Sequence, residues 1–339
     1  MATPMNRRRF IQGASTVAAA SVLPGCGEPG QEKIQRPDGV PVGPFGAEST
    51  AEEVTDGLDL TGLTAVVTGA NSGLGLETMR VLALRGAHVI GTGRTLEKAE
   101  TACAGVQGRA TPAVLELTDL ASVKNCGEEI RAMGMPIDML ILNAGIMSLP
   151  ELEQVNGIEK QFFVNHVGHF AFAAWLMDQV KQAPAGRVVS LSSSGHQWAP
   201  EAGIEFDNLS GEAGYDPMKM YGQSKLANGL FAFELARRLE DSGATANAVH
   251  PGVINTNLGR HFPKWQLIMA DLIGWTFMKS LGAGAATSCY VAASPIVAGV
   301  SGYYFADCNP QVPDPRMNDQ AMAARLWEVS EELTAGYLP

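Results

Sequence analysis

The sequence predicts an α/β protein: a doubly wound parallel sheet with helices on both faces, in a single domain. Three observations lead to this prediction. Short apolar runs typical of buried strands alternate with longer stretches of helical periodicity, which is the pattern of successive β–α–β units. A glycine-rich turn joins the first of these runs to the first helical stretch. The composition, with 46% apolar and 17% charged residues, is that of a chain able to bury a sizeable core.

The N-terminal residues 1–26 are predicted to be an export signal. Residues 6–12 read NRRRFIQ, and the arginines precede an apolar, small-residue run at 11–23 that is too short to span a bilayer as a helix. This arrangement resembles a bacterial twin-arginine signal, and LPGC at 23–26 resembles a lipobox, whose cysteine is lipidated and becomes the mature N-terminus. A plain signal cut near the same place, with Cys26 incidental, is the alternative. We expect an exported protein on the periplasmic side of a bacterial membrane, in contact with it through a lipid anchor at Cys26.

Residues 27–58 are predicted to be a flexible linker, because they are rich in Gly, Pro, Glu and Gln and show almost no periodic apolar pattern. No internal repeat and no second composition break follow. Residues 59–339 are therefore predicted to form one domain.

Charge and cysteine usage narrow the class of protein. The formal net charge of -11 argues against a general nucleic-acid-binding protein, because such proteins neutralise phosphates with clustered Lys and Arg. The cysteines after the export signal show no CxxC spacing, so no zinc site is expected and buried free thiols are favoured. They are Cys103, Cys126, Cys289 and Cys308.

The first strand is predicted at 65–68, followed by the turn TGANSGLG and a helix through Leu76, Met79, Leu82 and Ala83. Glycines in such a turn let the backbone approach a pyrophosphate that sits on the helix N-terminus. The spacing is GxxxGxG rather than GxGxxG, and no GK[ST] follows, so a P-loop is excluded and a purely structural turn is the alternative. A Rossmann-like dinucleotide site is predicted. Its turn residues are Gly69, Asn71, Ser72, Gly73, Leu74 and Gly75.

The second strand, predicted at 88–92, ends in Gly93 and Arg94, about twenty residues after the turn. A dinucleotide enzyme places there an acidic residue for the ribose hydroxyl or an arginine for the 2′-phosphate. The guanidinium of Arg94 suits a phosphate, which predicts NADP, with NAD less favoured. A solvated surface arginine is the alternative.

Further strands are predicted at 113–117, 139–142 and 188–191, again alternating with helical stretches. Polar residues follow their ends. Together with the glycine turn, these residues resemble the short-chain dehydrogenase/reductase family over about residues 60–335, and the runs YGQSKLANGLFAFELARRL, HPGVINTNL, GYYFADC and ARLWEVSEEL resemble its retinol-dehydrogenase-like branch. The resemblance implies an oxidoreductase that transfers a hydride between nicotinamide and an alcohol or carbonyl, and it makes a homodimer or homotetramer plausible. The residues that carry it are Asp119, Asn143, Ala144, Gly145, Asn165, Ser193, Tyr221 and Lys225.

Tyr221 is the predicted general acid/base. A tyrosine hydroxyl has an ordinary pKa of about 10 and is a poor acid/base at neutral pH unless a nearby cation stabilises the phenolate. Lys225 lies four residues later, on the same face of a helix, where it is expected to lower the pKa of Tyr221. A solvated surface pair at helical spacing is the alternative.

The other site residues are implied by the resemblance. Ser193 would hydrogen-bond and polarise the substrate oxygen, with Ser192 and Ser194 as alternatives, and Asn165 would hold a water near the lysine. The residues implied to bind the cofactor beyond the glycine turn and Arg94 are Asp119, Leu120, Asn143, Ala144, Gly145, Tyr221, Lys225, Pro251, Gly252, Val253 and Thr256.

The sequence contains features of three other functions. His166 and His169 are three residues apart, but zinc wants three or four ligands and no third ligand stands at matching spacing, so no metal is expected. Ser193 with His196 or His250 suggests a hydrolase, yet the chain has no GxSxG elbow. A non-catalytic dinucleotide-binding sensor stays open, because a fold does not establish a function.

The segment 262–281 is too apolar for an ordinary surface loop. It is predicted to be a helical lid over a pocket for a lipophilic alcohol or carbonyl, with core or dimer packing as the alternative. Because the resemblance to a twin-arginine signal implies export of a folded protein, the cofactor is expected to be bound before export.

Overall fold

The computed structural model of the chain describes residues 35–252 and 279–339. The predicted export signal, the first part of the predicted linker, Val253, Thr256 and positions 262–278 of the predicted lid lie outside these residues.

The strands of the described residues form one large sheet and a small hairpin. They are β1 Thr64–Val67, β2 His88–Gly93, β3 Arg109–Val114, β4 Met139–Leu142, β5 Gln154–Val155, β6 Ile158–Glu159, β7 Arg187–Leu191, β8 Thr245–His250, β9 Tyr304–Ala306 and β10 Asn309–Gln311. The helices are α1 Ala51–Val54, α2 Gly73–Leu84, α3 Leu96–Ala104, α4 Leu120–Ala132, α5 Lys160–Phe162, α6 Gly168–Gln182, α7 Pro217–Arg238, α8 Leu281–Ala293 and α9 Gln320–Leu333, with a π turn at Phe163–Val167 between α5 and α6.

The described strands of the large sheet run in the order β10-β9-β8-β7-β4-β1-β2-β3, and all neighbours pair in parallel except β9 and β10. From β1 the chain winds outward through β2 to β3, then returns to the other side of β1 and winds outward through β4, β7 and β8. The order therefore reverses between β1 and β4, and ligands of open α/β sheets bind beyond the carboxyl ends of the strands at such a point. The predicted doubly wound fold is confirmed.

Alternate residues of the central strands bury against the two layers of helices. Val66, Ile90 and Leu140 pack toward α4, α6, α7 and α9. Their neighbours Ala65 and Val89 pack toward α1, α2 and α8. Both faces of the sheet are covered, which explains why its strands read as continuous apolar runs in the sequence.

One predicted strand was placed too late. The third strand was predicted at 113–117 but is found at Arg109–Val114. It lies at the edge of the sheet, so only one neighbour pairs with it and its first residues are exposed or half-buried. Leu115 and Leu117 are buried after the strand has ended, in the stretch that leads to α4. The apolar run at 113–117 therefore corresponds to the end of β3 and the buried stretch after it, not to the whole strand.

The described part of the predicted linker packs against the domain, which corrects that prediction. Thr50 and Glu53 form a capping box that begins α1, and the helix buries Ala51 and Val54. The ring of Phe45 packs edge-on against Tyr290, with centroids 5.7 Å apart. A four-residue helix contributes too little periodicity to be seen in the sequence.

The four cysteines among the described residues are buried free thiols, as predicted, and they are Cys103, Cys126, Cys289 and Cys308. Within 35–252 and 279–339, none of the helices is both long and apolar enough to cross a membrane.

Candidate active site

The glycine turn leads directly from β1 into α2 and leaves room for a ligand on the helix N-terminus. Gly69 and Gly73 adopt left-handed backbone conformations, with φ of +65° and +57°. A Cβ at Gly75 would lie 2.4 Å from the carbonyl oxygen of Gly69, so only glycine fits there. Ser72, the N-cap residue, makes no side-chain capping bond among the described residues, and the first N–H groups of α2 can therefore bind an anion. The turn thus fits the pyrophosphate of a dinucleotide.

The segment that follows β4 is tied to the end of β1. The hydroxyl of Thr68 accepts hydrogen bonds from the backbone N–H groups of Asn143 and Ala144, at 2.8 and 2.9 Å. The Asn143 amide donates in turn to the carbonyl of Thr68, at 2.8 Å. The Asn143 side chain therefore braces the glycine turn. Gly145 follows in the same segment, where a Cβ would lie 3.5 Å from the Lys225 Nζ.

Tyr221 and Lys225 lie one turn apart on α7, which Asp216 caps by accepting from two backbone N–H groups. Both side chains are buried. The Nζ of Lys225 lies 5.8 Å from the centroid of the Tyr221 ring and donates to the carbonyl oxygen of Leu191, 3.0 Å away. The helix approaches the stretch after β7 closely, since a Cβ at Gly222 would lie 2.5 Å from a backbone nitrogen.

Burial controls the protonation of this pair. Desolvation lowers the pKa of Lys225 to about 8. Desolvation raises the pKa of Tyr221, and a hydrogen bond with Ser193 opposes that rise. The expected lowering of the Tyr221 pKa by Lys225 is therefore wrong for the protein groups alone, because the loss of hydration is the largest contribution to the pKa of Tyr221.

The structure distinguishes the three candidate serines. Ser193 accepts a hydrogen bond from the backbone N–H of Gly195, and an interaction of its side chain with Tyr221 opposes the rise in the pKa of Tyr221. Ser192 is buried and donates to the carbonyl oxygen of Lys225, at 2.7 Å. Ser194 uses its backbone N–H to donate to Nδ1 of His250. Of the three serines, Ser193 is the one whose side chain acts on the pKa of Tyr221.

Asn165 lies in the π turn before α6 and is fully buried. Its side-chain oxygen accepts from the N–H of Ile146, at 2.8 Å, and its amide donates to the Ile146 carbonyl and to the Ser224 hydroxyl, at 3.0 and 2.9 Å. A Cβ at Gly145 would lie 3.2 Å from the same side-chain oxygen. Asn165 thus lies next to the segment that passes Lys225, and π turns of this kind are common at functional sites.

The other described residues that were predicted to bind the cofactor lie after β2, at the start of α4 and after β8. Arg94 is exposed directly after β2. Asp119 caps α4 by accepting from the backbone N–H of Ala121, and Leu120 is buried in the core. Pro251 and Gly252 follow β8, and Gly252 has a φ of +96°.

Neither histidine near Ser193 is arranged as the base of a hydrolase. His196 donates from Nδ1 to the backbone carbonyl of Ser193 and accepts at Nε2 from the N–H of Asp314. His250 accepts from a backbone N–H, and burial lowers its pKa to about 4. No ring nitrogen of His196 or His250 is hydrogen-bonded to the Ser193 hydroxyl.

Three residues near the site were missed in the sequence. Trp198 has its ring centroid 6.4 Å from that of Tyr221 and keeps 46% of its surface exposed. Arg316 donates to the backbone carbonyls of residues 197, 199 and 200 and pairs with Asp314. Lys279 lies over Gly252 and pairs with Asp307, at 2.6 Å. All three act across long sequence separations, and no local pattern indicates them.

His166 and His169, weighed above as metal ligands, are buried and hydrogen-bonded to protein groups. His166 pairs through Nε2 with the hydroxyl of Ser330. His169 pairs with Thr68 and with the carbonyl of Asn165. Among the described residues no cluster of three or more potential metal ligands is found.

Two known dehydrogenases are similar in sequence to this chain over most of their length. The chain is 41% identical over 303 residues to short-chain dehydrogenase TIC 32 B, chloroplastic, of Brassica napus, an alignment that covers 85% of this chain and 94% of that protein. It is 40% identical over 290 residues to retinol dehydrogenase 14 of Homo sapiens, covering 80% of this chain and 85% of that one.

A solved structure and a family model also match the chain. A crystal structure of an uncharacterised protein from Mycobacterium paratuberculosis superposes with a TM-score of 0.69 at 33% identity, covering 84% of this chain and 98% of that one. Residues 63–267 match the family model for short chain dehydrogenase. The chain therefore belongs to the short-chain dehydrogenase/reductase family, the NAD(P)-dependent oxidoreductases that act on CH–OH groups.

Proposed function

We propose that this protein is an NADP-dependent oxidoreductase that interconverts a lipophilic alcohol and the corresponding carbonyl compound, with Tyr221 as the general acid/base. The observation that carries the proposal is the pair of buried side chains on α7, in which the Nζ of Lys225 lies 5.8 Å from the centroid of the Tyr221 ring. The segment that is tied to the end of β1 passes this pair, since a Cβ at Gly145 would lie 3.5 Å from the Nζ of Lys225. Ser193 is near enough to lower the pKa of Tyr221, so the two hydroxyl groups can bind one substrate oxygen together.

The chemistry follows from the protonation states. When bound, NADP(H) supplies or accepts the hydride. Because burial raises the pKa of Tyr221, its phenol holds its proton at neutral pH and can donate that proton to a carbonyl oxygen as negative charge develops there. The Ser193 hydroxyl donates a second hydrogen bond to the same oxygen and stabilises that charge. Lys225, whose pKa of about 8 lies near neutral pH, keeps a cation close to the tyrosine ring.

The choice of NADP rests on Arg94. It is exposed directly after β2, where a carboxylate would be expected in an NAD-specific enzyme. Its guanidinium can donate two hydrogen bonds to a phosphate oxygen pair. The first-turn N–H groups of α2 would hold the pyrophosphate next to it.

Three observations support a lipophilic substrate. Trp198 presents an exposed indole beside Tyr221, and an exposed aromatic ring near a reacting group favours apolar ligands. The relatives include proteins named retinol dehydrogenase, and retinol is an apolar alcohol. The apolar composition of the segment 262–281 is consistent with the same preference.

The proposal is tested by following nicotinamide absorbance with a panel of carbonyl compounds, from small polar sugars to long-chain and cyclic apolar ketones and aldehydes. We expect turnover with NADPH in preference to NADH, and faster turnover of the apolar compounds. Nucleotide binding without turnover across the panel would favour a dinucleotide-binding sensor, and faster turnover of the sugars would contradict the lipophilic substrate.

The N-terminal sequence supports an export route for this enzyme. The arginines at 7–9 and the cysteine of LPGC at 23–26 resemble a twin-arginine lipoprotein signal, so we place the enzyme on the periplasmic side of a membrane with a lipid at Cys26 and a cofactor bound before export. Loss of membrane association in Cys26→Ser would support the anchor, and unchanged association would contradict it. Exported protein purified without any bound nucleotide would contradict export with the cofactor. A homodimer or homotetramer, the assembly that the family resemblance favours, is tested by the mass of the protein in solution.

A further inference from the structure

The hydroxyl of Thr68 sits at the point where the end of β1 meets the segment after β4. A threonine hydroxyl has one proton and two lone pairs. The backbone N–H groups of Asn143 and Ala144 both donate to this oxygen, at 2.8 and 2.9 Å, and occupy both lone pairs. Nε2 of His169 lies 2.8 Å away. The single proton of Thr68 must therefore point at that ring nitrogen.

This arrangement sets the tautomer of His169. Since Nε2 accepts the proton of Thr68, it carries none of its own, and the neutral ring must be protonated at Nδ1. Nδ1 lies 2.9 Å from the backbone carbonyl oxygen of Asn165, which can only accept. Both ring nitrogens are thus satisfied in one consistent set of hydrogen bonds. Burial lowers the pKa of His169 to about 4, and the nearby charge of Lys225 acts in the same direction, so the ring stays neutral at physiological pH.

The two partners of His169 hold opposite ends of one short segment. Thr68 binds the N–H groups of Asn143 and Ala144, at the beginning of the segment. Asn165 binds both backbone groups of Ile146, at its end. Between these two anchors lies Gly145, against the Lys225 ammonium.

We propose that His169 is a positioning residue that couples the dinucleotide turn to Asn165 and Lys225, by holding the segment 143–146 at both ends. The inference rests on the proposed function for its kinetic consequences, but the hydrogen-bond pattern itself does not. Removing the ring leaves the Thr68 proton and the Asn165 carbonyl without partners in a buried place, which loosens both anchors together.

The chain contains a matched control on the same helical stretch. His166 is as deeply buried as His169, and burial lowers its pKa to about 3. Its ring pairs with Ser330 of α9 and packs among Phe162, Phe170 and Phe231. These partners belong to the core rather than to the site. Replacing His166 should therefore cost stability alone.

The kinetic experiment compares His169→Phe with His166→Phe in the full-length protein. For His169→Phe we expect weaker NADPH binding and a loss of about tenfold to a hundredfold in kcat/KM. We expect kcat/KM of His166→Phe to stay within about twofold of wild type at a similar drop in melting temperature. His169→Gln, whose amide can accept from Thr68 and donate to Asn165, should recover part of the loss. Equal kinetic losses in the two Phe variants would overturn the proposal.

Coupling is tested with Thr68→Val, which removes the hydroxyl at the other end of the bond. If His169 acts through Thr68, the double variant Thr68→Val/His169→Phe should lose no more than the worse single variant. Additive losses in kcat/KM and in NADPH affinity would contradict the coupling.

A spectroscopic readout keeps the test independent of turnover and of the stability of any Phe variant. In ¹⁵N NMR of the wild-type protein, the signals absent from His169→Gln identify His169 among the six histidines. We expect them to show a neutral ring protonated at Nδ1 between pH 5 and pH 8. A ring protonated at Nε2, or a charged ring in this range, would overturn the proposal. If the wild-type enzyme binds NADPH but turns over no carbonyl compound, the proposed function fails while the tautomer and the nucleotide affinities still decide the role of His169.

Discussion

The Nζ of Lys225 donates a hydrogen bond to the carbonyl oxygen of Leu191, 3.0 Å away, while it lies 5.8 Å from the centroid of the Tyr221 ring. The last residue of β7 thus anchors the lysine next to the tyrosine. Because the ammonium is buried, its proton is held less firmly than in water, and the lysine titrates close to neutral pH. Burial lowers the pKa of Lys225 and raises that of Tyr221, so we expect carbonyl reduction and alcohol oxidation to depend on pH in different ways.

Carbonyl reduction should weaken above a pH of about 8, where Lys225 loses its charge. The pKa of Lys225 is lowered from its ordinary value, so the cation is present below pH 8 and lost above it. Alcohol oxidation needs Tyr221 to give up its proton, and because the pKa of Tyr221 is raised, oxidation should keep rising through that range. The measurement is kcat/KM against pH in both directions. Lys225→Arg, whose guanidinium stays charged, should remove the fall near pH 8 from whatever reduction it retains. A reduction profile that stays flat to pH 10 would contradict this assignment.

Replacing Arg94 should change the cofactor preference. In Arg94→Asp the guanidinium that we propose to bind the 2′-phosphate is exchanged for a carboxylate, which would repel that phosphate and can accept from a ribose hydroxyl. We expect kcat/KM with NADPH to fall by about tenfold to a hundredfold while the value with NADH holds or rises. Arg109→Asp, at the exposed start of β3, is the matched charge change and should leave the ratio of the two cofactors unaltered. An unchanged ratio in Arg94→Asp would remove the support for NADP.

Trp198 should contribute to the choice of substrate. Its exposed indole lies beside Tyr221, so an apolar substrate can bury surface against it. We expect Trp198→Ala to lower kcat/KM for cyclic apolar carbonyl compounds by about tenfold and to change the values for small carbonyl compounds by less than about twofold. Trp198→Phe should fall between. Equal losses for all substrates would mean that Trp198 supports the fold of the site and does not select the substrate.

The Trp198 stretch depends on Arg316 for its position. Arg316 donates to three backbone carbonyls within residues 197–200 and forms an ion pair with Asp314. Arg316→Ala leaves those carbonyls without partners, and we expect a loss of about 2 kcal/mol in the free energy of unfolding, together with a higher KM for apolar substrates. Arg325, whose ion pairs are exposed, is the control, and Arg325→Ala should change stability by less than about 0.5 kcal/mol. Denaturant unfolding and steady-state kinetics measure the two effects. An Arg316→Ala protein as stable as Arg325→Ala would contradict the role of the arginine.

The parts of the site that the sequence predicts are those with a local pattern. The glycine turn, the Tyr221 and Lys225 pair and the ends of the strands each show a characteristic spacing within a few residues. The central strand β4 coincides with its prediction, because a strand buried on both faces is a continuous apolar run. These local patterns are sufficient to predict the fold and the pair formed by Tyr221 and Lys225.

What the sequence does not predict depends on contacts between distant residues. Thr68 and His169 are 101 residues apart, and the hydrogen bond between them has no counterpart in any local pattern. The same is true of Arg316, whose partners lie 116 to 119 residues earlier. The pKa of Tyr221 was expected to fall because helical spacing gives the distance to Lys225 but not the degree of burial, which turned out to dominate. Burial and partners at long range are properties of the fold, so they appear only once the structure is known.

The most direct test of the central claim is the single-turnover rate of hydride transfer in wild type and in Tyr221→Phe, with NADPH affinity measured on the same samples. Tyr221→Phe removes one oxygen and keeps the ring that packs near Trp198. If Tyr221 is the general acid/base, carbonyl reduction should slow by about a hundredfold to ten-thousandfold while NADPH affinity changes by less than about threefold. Hydride transfer in Tyr221→Phe at a rate close to wild type would contradict the role of Tyr221 and with it the proposed mechanism.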